Sequence, residues 1–310
     1  MPRIHVLHEN PDWLPPLAAA LDGIGADWED WFLVERAIDL TAPPPEGVFY
    51  NRMSASSHTR GHRFSAELTA VTLAWLTQHG RRVVNGPGAL DLEISKVRQY
   101  ATLARAGVAT PRTVAVVGRG GLVDAARAAF GTGRFILKPN RGGKGLGVRL
   151  FENPDALAAH VASAAYDEPL DGVHLLQAHV ATAEPIITRA EFVGGRFLYA
   201  VEVDTSGGFE LCPADVCEVP GAARPAFRVI ESIDPGLKAR LERFLRLADI
   251  EIAGIEFATG RDGVALVYDV NTNTNYNANA EAAADIKLTG MRAIAEFLHR
   301  ELDKQAREAA

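Results

Sequence analysis

Two stretches of the chain carry residue types that do chemistry together. Phe135-Ile136-Leu137-Lys138-Pro139 is an apolar run that delivers one lysine, and Asn140-Arg141-Gly142-Gly143-Lys144-Gly145-Leu146-Gly147 follows it directly. Backbone N–H groups of so glycine-dense a loop can close on phosphate oxygens, because no Cβ holds the ligand off. Arg141 and Lys144 add positive charge. No Gly-Lys-Ser/Thr triplet opens a helix here, so this is not a Walker A loop; a plain hairpin turn with solvated charges would carry the same residues. The second stretch is a pair of strands, Ala253-Gly254-Ile255-Glu256-Phe257 and Val267-Tyr268-Asp269-Val270-Asn271. Asp269 and Asn271 are two apart and share a face, and a hairpin brings Glu256 opposite them. Two carboxylates and an amide oxygen are hard ligands of the kind Mg²⁺ takes together with phosphates. Among apolar neighbours such carboxylates need a cation or hydrogen bonds. A solvated strand face would explain Asp269 alone better than all three. Lys96 in Glu93-Ile94-Ser95-Lys96 and Arg189 in Thr188-Arg189-Ala190-Glu191 are uninformative singly.

The elements that must position these residues alternate along the chain. Strand and helix signals alternate over residues 1–90: strands at Ile4–Leu7, Val48–Tyr50 and Val83–Val84, helices at Leu14–Leu21 and Phe64–Gln78. This reads as a small α/β unit, ended by the breaker Asn85-Gly86-Pro87-Gly88. A second unit over 91–173 has a helix from Asp91 to Ala106, strands at Thr113–Val117, Phe135–Lys138 and Val148–Phe151, and helices at Leu122–Phe130 and Pro154–Tyr166. A third over 174–310 opens with a strand at Leu175–Val180. Hairpins follow at Ile186–Phe192/Arg196–Val203, turning on Gly194-Gly195, and at Ile252–Ala258/Val264–Val270. Helices close it at Pro235–Leu247 and Ala284–Gln305. Hairpins with flanking helices read as α+β with mainly antiparallel sheets.

The chain has 310 residues, 47% hydrophobic and 23% charged, with a net charge of −7. That is the balance of a globular protein with a sizeable core, and it argues against a nucleic-acid partner, which calls for a basic face. Two cysteines, Cys212 and Cys217, are too few for a disulfide scaffold and point to a reducing cytoplasm. The N-terminus lacks a basic region followed by an apolar run, and no apolar stretch approaches a membrane span.

The order of the motifs is more specific than any one of them. A helix lysine, Gly107-Val108-Ala109-Thr110-Pro111, the strand lysine, the glycine-rich loop, a strand ending Leu176-Gln177, an arginine strand and an acidic hairpin follow one another. This order resembles the ATP-grasp superfamily, most of all the branch of the ribosomal-protein glutamate ligase and the carrier-protein ligases of lysine biosynthesis. The resemblance runs from about Val48 to the last helix and is strongest in Ile94–Thr113, Phe135–Val148 and Ala253–Asn271. It implies an ATP-grasp fold: an N-terminal pre-ATP-grasp α/β domain and two α+β subdomains clasping ATP.

Roles carry over by position. The resemblance places Lys96 and Lys138 on ATP, and Gly142, Gly143, Lys144, Gly145 and Gly147 in the loop covering its phosphates. Leu176, Gln177 and Val180 fall in the linker that meets adenine, and Arg189 beside the transferred phosphate. Glu256, Asp269 and Asn271 fall on Mg²⁺, with Mn²⁺ as the alternative ion. Arg52 resembles an arginine of the N-terminal domain, and with Ser54 is a substrate candidate. Departures are present. Gln177-Ala178-His179 lacks the usual acidic linker residue, which leaves ribose to Glu184. Thr188 and Asp269 replace an Asp and a Glu. The stretch Thr272–Asn279, with Asn273 and Asn275, replaces a small-residue Pro-Gly segment and is either a polar substrate loop or a turn-rich connector.

The chemistry implied is attack of a substrate carboxylate on the γ-phosphate, giving an acyl phosphate and ADP, then attack of an amine with release of phosphate. Its partners would be small-molecule or peptide carboxylates and amines. Homo-oligomers, common in the resembled family, are a further expectation. An ATP-grasp-fold kinase or an ATP-binding regulatory protein would use the same residues. The basic segment Arg52, Ser54, Ser56, His58, Arg60 and Arg63 suits an acidic substrate group or is an exposed loop.

Overall fold

A computed structural model describes residues 2–143, 145–206 and 227–308. Lys144, Cys212 and Cys217 lie outside the described residues. The described residues form three sheets with helices against them, the α/β and α+β mixture expected.

The first sheet takes β1 (Arg3–His8), then α1 (Pro15–Asp22), β2 (Trp28–Phe32), β3 (Gly47–Asn51), α2 (Ser65–Gln78) and β4 (Arg82–Val84). Its order is β2-β1-β3-β4, all pairs parallel. Alternate residues serve the two faces: Ile4, Val6, Val48 and Tyr50 pack against α1, while Leu7 and Phe49 pack against α2. The edge strand β2 was not expected, because Glu29 and Asp30 interrupt its apolar pattern.

The connection to the second sheet departs from the expected single helix. It breaks into α3 (Pro87–Glu93) and α4 (Lys96–Arg105), because Ser95 takes an extended conformation and its hydroxyl accepts from the Arg98 amide. The break turns Lys96 inward as the first residue of α4. Then come β5 (Thr113–Val117), α5 (Leu122–Phe130), β6 (Phe135–Pro139), β7 (Arg149–Phe151), α6 (Pro154–Ala162) and β8 (Val173–Ala178), in an antiparallel sheet of order β5-β8-β6-β7. Strand β8, expected in the C-terminal unit, is thus central to the second sheet. Helices α5 and α6 cover one face through Phe135, Leu137, Phe151, Leu157 and Leu176.

The third sheet is antiparallel, in the order β11-β10-β9-β12-β13. Its strands are β9 (Ile186–Val193), β10 (Arg196–Asp204), β11 (Phe227–Ile230), β12 (Ile252–Thr259) and β13 (Ala265–Asn271), with α7 (Pro235–Ala248) before β12. One face carries Ala190, Phe192, Ala253, Ile255, Phe257, Val267 and Val270 into a core shared with α3, α4 and α7. The last helix, expected over Ala284–Gln305, begins later, as α9 (Gly290–Glu308), and a short α8 (Ala278–Ala283) that was not expected precedes it. The side chain of Asn277 caps α8. Helix α9 packs Ile294 and Leu298 against the first sheet, so the chain's last element closes on its first. Asn85, at φ 56, locks the units together. Its side chain donates to Ile252 O and Thr272 O and accepts from the amides of Glu251 and Ile252.

Candidate active site

The polar face of the third sheet carries two rows across three neighbouring strands. Glu256 of β12 pairs with Arg189 of β9 on one side and Asp269 of β13 on the other. Gly254 likewise pairs with Glu191 and Asn271. Each strand contributes residues two apart, so all six positions share one face. The row of Arg189, Glu256 and Asp269 survives because a bulge after Glu256 absorbs Tyr268 as an extra residue. Gly254 is required at the centre: a Cβ there would stand 2.5 Å from the Arg189 guanidinium, which lies over the glycine. Arg189 donates to Glu256 Oε1 (3.0 Å), Glu191 Oε1 (2.6 Å) and Thr274 Oγ1 (2.7 Å), and Thr274 donates to Glu191 Oε2 (2.7 Å).

From the facing side α4 brings Lys96, whose Nζ donates to Asp269 Oδ1 at 2.7 Å and to Gly142 O at 3.2 Å. Burial works against the Lys96 ammonium, yet Asp269, with Glu93 and Glu256, outweighs it and raises its pKa. Lys138, at the end of β6, donates to Tyr268 O at 3.1 Å and faces the rings of Tyr100 and Tyr268. Burial, with Lys96 nearby, pushes Lys138 down to about 7. Asn140 joins the two lysines' elements: its side chain accepts from the Val97 amide and its carbonyl from that of Lys96.

The balance of charge tests whether a divalent ion suits the site. Glu191, Glu256 and Asp269 face Arg189 and Lys96, with Lys138 easily discharged, so carboxylates are in excess. Burial raises Glu256, with Asp269 adding to the shift, and burial also raises Glu191. A dication would relieve this strain, and the donors are hard oxygens. Among the described residues no three His, Cys, Asp or Glu side chains cluster as a self-sufficient metal cage. Two carboxylates and Asn271, whose Nδ2 lies 3.4 Å from Glu256 Oε1, suit an ion that shares its shell with phosphates.

Other expected site residues fall differently. Gly142 and Gly143 lie beside Lys96 and Ser56, and Gly145 and Gly147 have φ of 70° and 76°. Leu176 is turned into the helix-side core, and its backbone sits in a ladder between β5 and β6; it offers a nucleotide neither side chain nor edge. Gln177 points to the other face, but its amide is spent on Tyr100 and Thr113 hydroxyls at 2.9 Å each. Val180 lies past the ladder, and Glu184 is exposed in the linker to β9. Arg52 is 2% exposed. It donates to Trp13 O, Thr274 O and Asn275 Oδ1, and so ties the first unit to the loop after β13 instead of reaching outward. Ser54 is buried against Ser56. Asn273 Oδ1 is buried with no partner.

Several functional positions were not singled out from sequence. Glu191 and Gly254 carried a signal, the i, i+2 spacing beside Arg189 and Glu256. Glu93 and Thr274 carried none. Buried Glu93 accepts from the Ala55 amide and from both the amide and hydroxyl of Thr272, which holds the loop after β13 against α3.

No family model and no curated protein matches the chain. Solved structures do match. A RimK-domain ATP-grasp protein from Sphaerobacter thermophilus is 19% identical, with 95% of this chain and 98% of that one covered at a TM-score of 0.67. D-cycloserine synthetase DcsG is 19% identical, over 96% and 99%, at 0.65. The ATP-grasp ligase PsnB, complexed with a minimal precursor, Mg and ADP, is 16% identical, over 96% and 97%, at 0.64. Likeness over nearly whole chains establishes that this chain has the ATP-grasp fold.

Proposed function

We propose that the chain is an ATP-dependent ligase that joins a carboxylate to an amine through an acyl phosphate, releasing ADP and phosphate. The observation that carries this reading is the row Arg189–Glu256–Asp269 with Lys96 closing on Asp269. Each carboxylate of the row now holds a protein cation. ATP·Mg²⁺ would exchange these partners: Glu256, Asp269 and Asn271 would take the ion, and Lys96 and Arg189 would turn to phosphate oxygens. Bound Mg²⁺ supplies charge neutralisation of the transferring phosphoryl group. Arg189, held by Glu191 and Thr274, keeps a fixed donor where charge develops. Lys138, with its lowered pKa, gains its full charge beside phosphate. The glycine-rich loop, including Lys144, would cover the phosphates and exclude water, which limits hydrolysis of the acyl phosphate. Val180 and Glu184, in the linker after β8, are the residues proposed for adenine and ribose. Asn273 Oδ1 is the acceptor left for a substrate N–H.

The substrates we propose are small-molecule or peptide carboxylates and amines, in keeping with the precursor complexes of PsnB and of the macrocyclase MdnC. Among the described residues no helix is long and apolar enough to cross a membrane. The test is incubation with ATP, Mg²⁺ and a panel of amino acids and dipeptides, following ADP and phosphate. Release of both that depends on substrate and falls at least about 10²-fold in Asp269→Ala/Asn271→Ala supports the ligase. ADP without free phosphate would make it a kinase, and absence of ATP binding would overturn the reading.

A further inference from the structure

The second sheet has a second polar recess, on the face away from the nucleotide. Lys138 and Gln177 point to the third sheet; Leu137, Pro139, Arg149 and His174 alternate with them and point the other way. On that side a cavity of about 640 Å³ opens between the glycine-rich loop, the end of α6 and the segment His58–Arg63 of the first unit. Lys96, Arg189, Glu256 and Asp269 do not line it, whereas Lys138, Gly142, Gly143 and Gly147 do, so it adjoins the nucleotide site across the glycine-rich loop.

Its lining is cationic where the first unit meets the loop. Arg141 is 7% exposed, and only its Nη1 is engaged, by Glu67 at 2.9 Å; its Nε and Nη2 are buried without a partner. Leaving a guanidinium's donors unpaired in the interior is costly, so an unfilled acceptor is the feature to explain. Arg63 and Arg149 border the same cavity, are exposed, and make no ion pair among the described residues. Asp167 and Glu168 border it too, on the loop after α6. His58 reports the local field: burial lowers its pKa, and Arg141, Arg60 and Arg63 lower it further. The wall is held in place. Buried Glu9 grips Arg60 through both carboxylate oxygens and His62 through one, which accounts for Arg60 and leaves Arg63 and His58 facing the recess.

We propose that this cavity holds an anion site on the outer side of the glycine-rich loop, adjoining the nucleotide site, and takes a small oxyanion, phosphate or carboxylate, between Arg141, Arg63 and His58. The planar fork of Arg141 suits two oxygens of such a group. Because Arg141 begins the glycine-rich loop and Arg63 belongs to the first unit, an anion there bridges the two. The site stands whether or not the chain is a ligase.

The test is calorimetric titration of the full chain, without nucleotide, with inorganic phosphate and separately with malonate, at ionic strength held constant with chloride. Saturable binding of either is expected, with phosphate and malonate arms telling tetrahedral from planar preference. Arg141→Met and the exposed Arg63→Gln should each weaken it about tenfold or more. Lys96→Met should leave it intact. No binding at tens of millimolar would overturn the proposal. So would loss in Lys96→Met with full binding in Arg63→Gln, which would place the anion in the nucleotide site. If Arg141→Met does not fold, Arg63→Gln and Arg149→Gln decide the question alone.

Discussion

Two polar loops border the candidate active site, and they are built in opposite ways. The described residues of the loop 141–147 are held by few contacts: Lys96 on Gly142 O, turns from Leu146 to Gly143 and from Val148 to Gly145, and Arg141 on Glu67. Leu146 is 47% exposed. The loop 272–277 is stitched by its side chains: Thr272 to Glu93, Thr274 to Arg189 and Glu191, Asn275 to Arg52, and Asn277 to α8. Thr272 and Thr274 are fully buried. Both look like polar linkers in the sequence. The difference is side chain: glycine has none to anchor, whereas threonine and asparagine supply short donors and acceptors that reach neighbours without much entropy loss. One loop is therefore lightly tethered among its described residues, and the other fixes Arg189, the arginine proposed to meet the transferred phosphate.

The largest break of this contrast is Thr274→Val. It keeps the shape and removes the hydroxyl that accepts from Arg189 and donates to Glu191. Two buried charged groups then each lack a partner, a cost of about 2–4 kcal/mol. For a chain of this size the melting temperature should drop by roughly 3–6 °C. A slackened Arg189 should also lower ATP turnover by about 10²-fold. Unchanged melting and turnover would mean the stitching holds nothing.

Hydrogen exchange reads the contrast without mutation. Amides of 272–277 should be protected close to the global limit. Those of the described glycine-loop residues should exchange freely and slow about tenfold or more with ATP and Mg²⁺. Equal protection of both loops in the free protein would erase the distinction.

How far this was legible beforehand follows the same division. Period-two spacing is local, so Glu256, Asp269 and Asn271 could be placed on one face, and Lys138 at a strand end, from sequence. What no spacing reveals is which distant group each charge meets. Arg52 reads as a substrate candidate or an exposed loop residue until partners 222 and 223 positions away are brought to it. Leu176 was assigned to the nucleotide by position in the chain; its strand proved central, and alternation turned it inward. The helix over Asp91–Ala106 hid a break because Glu93, Ile94 and Lys96 continue its period, while the Ser95 cap decides where Lys96 points. The Thr272–Asn279 stretch left substrate loop and connector both open. The structure spends Asn275 and Asn277 on internal bonds and leaves Asn273 Oδ1 and the Tyr276 hydroxyl buried without a partner.

Gly147→Ala tests the mobile side with a smaller effect. Gly147 sits at φ 76, and a Cβ there would approach Pro139 Cδ to 3.3 Å. Holding alanine in that region costs about 1 kcal/mol, which corresponds to about fivefold in turnover if loop closure carries the cost. The melting temperature should move by no more than about 2 °C. A fall as large as that of Thr274→Val would show the glycine loop to be part of the framework.

The finest probe is the tether made by the Arg141 side chain. Burial raises Glu67, but its hydrogen bond from Arg141, with the charges of Arg141 and Arg63, outweighs this and leaves its pKa lowered. A depressed carboxylate contributes stability above its unfolded value, and that contribution is lost as pH falls through the folded value. The Glu67 side chain is 56% exposed, so screening limits the pair to at most about 1 kcal/mol. Glu67→Gln should therefore lower the melting temperature by about 2 °C or less at pH 7, and by nothing measurable at a pH below both carboxyl pKa values. Starting from Arg141→Met, the same change should cost nothing at either pH, since the pair is already broken. A cost above about 2 kcal/mol at pH 7 is more than an exposed ion pair supplies. It would mean that Arg141 anchors its loop as firmly as Thr274 anchors the other, and that closure over a nucleotide must begin by breaking that bond.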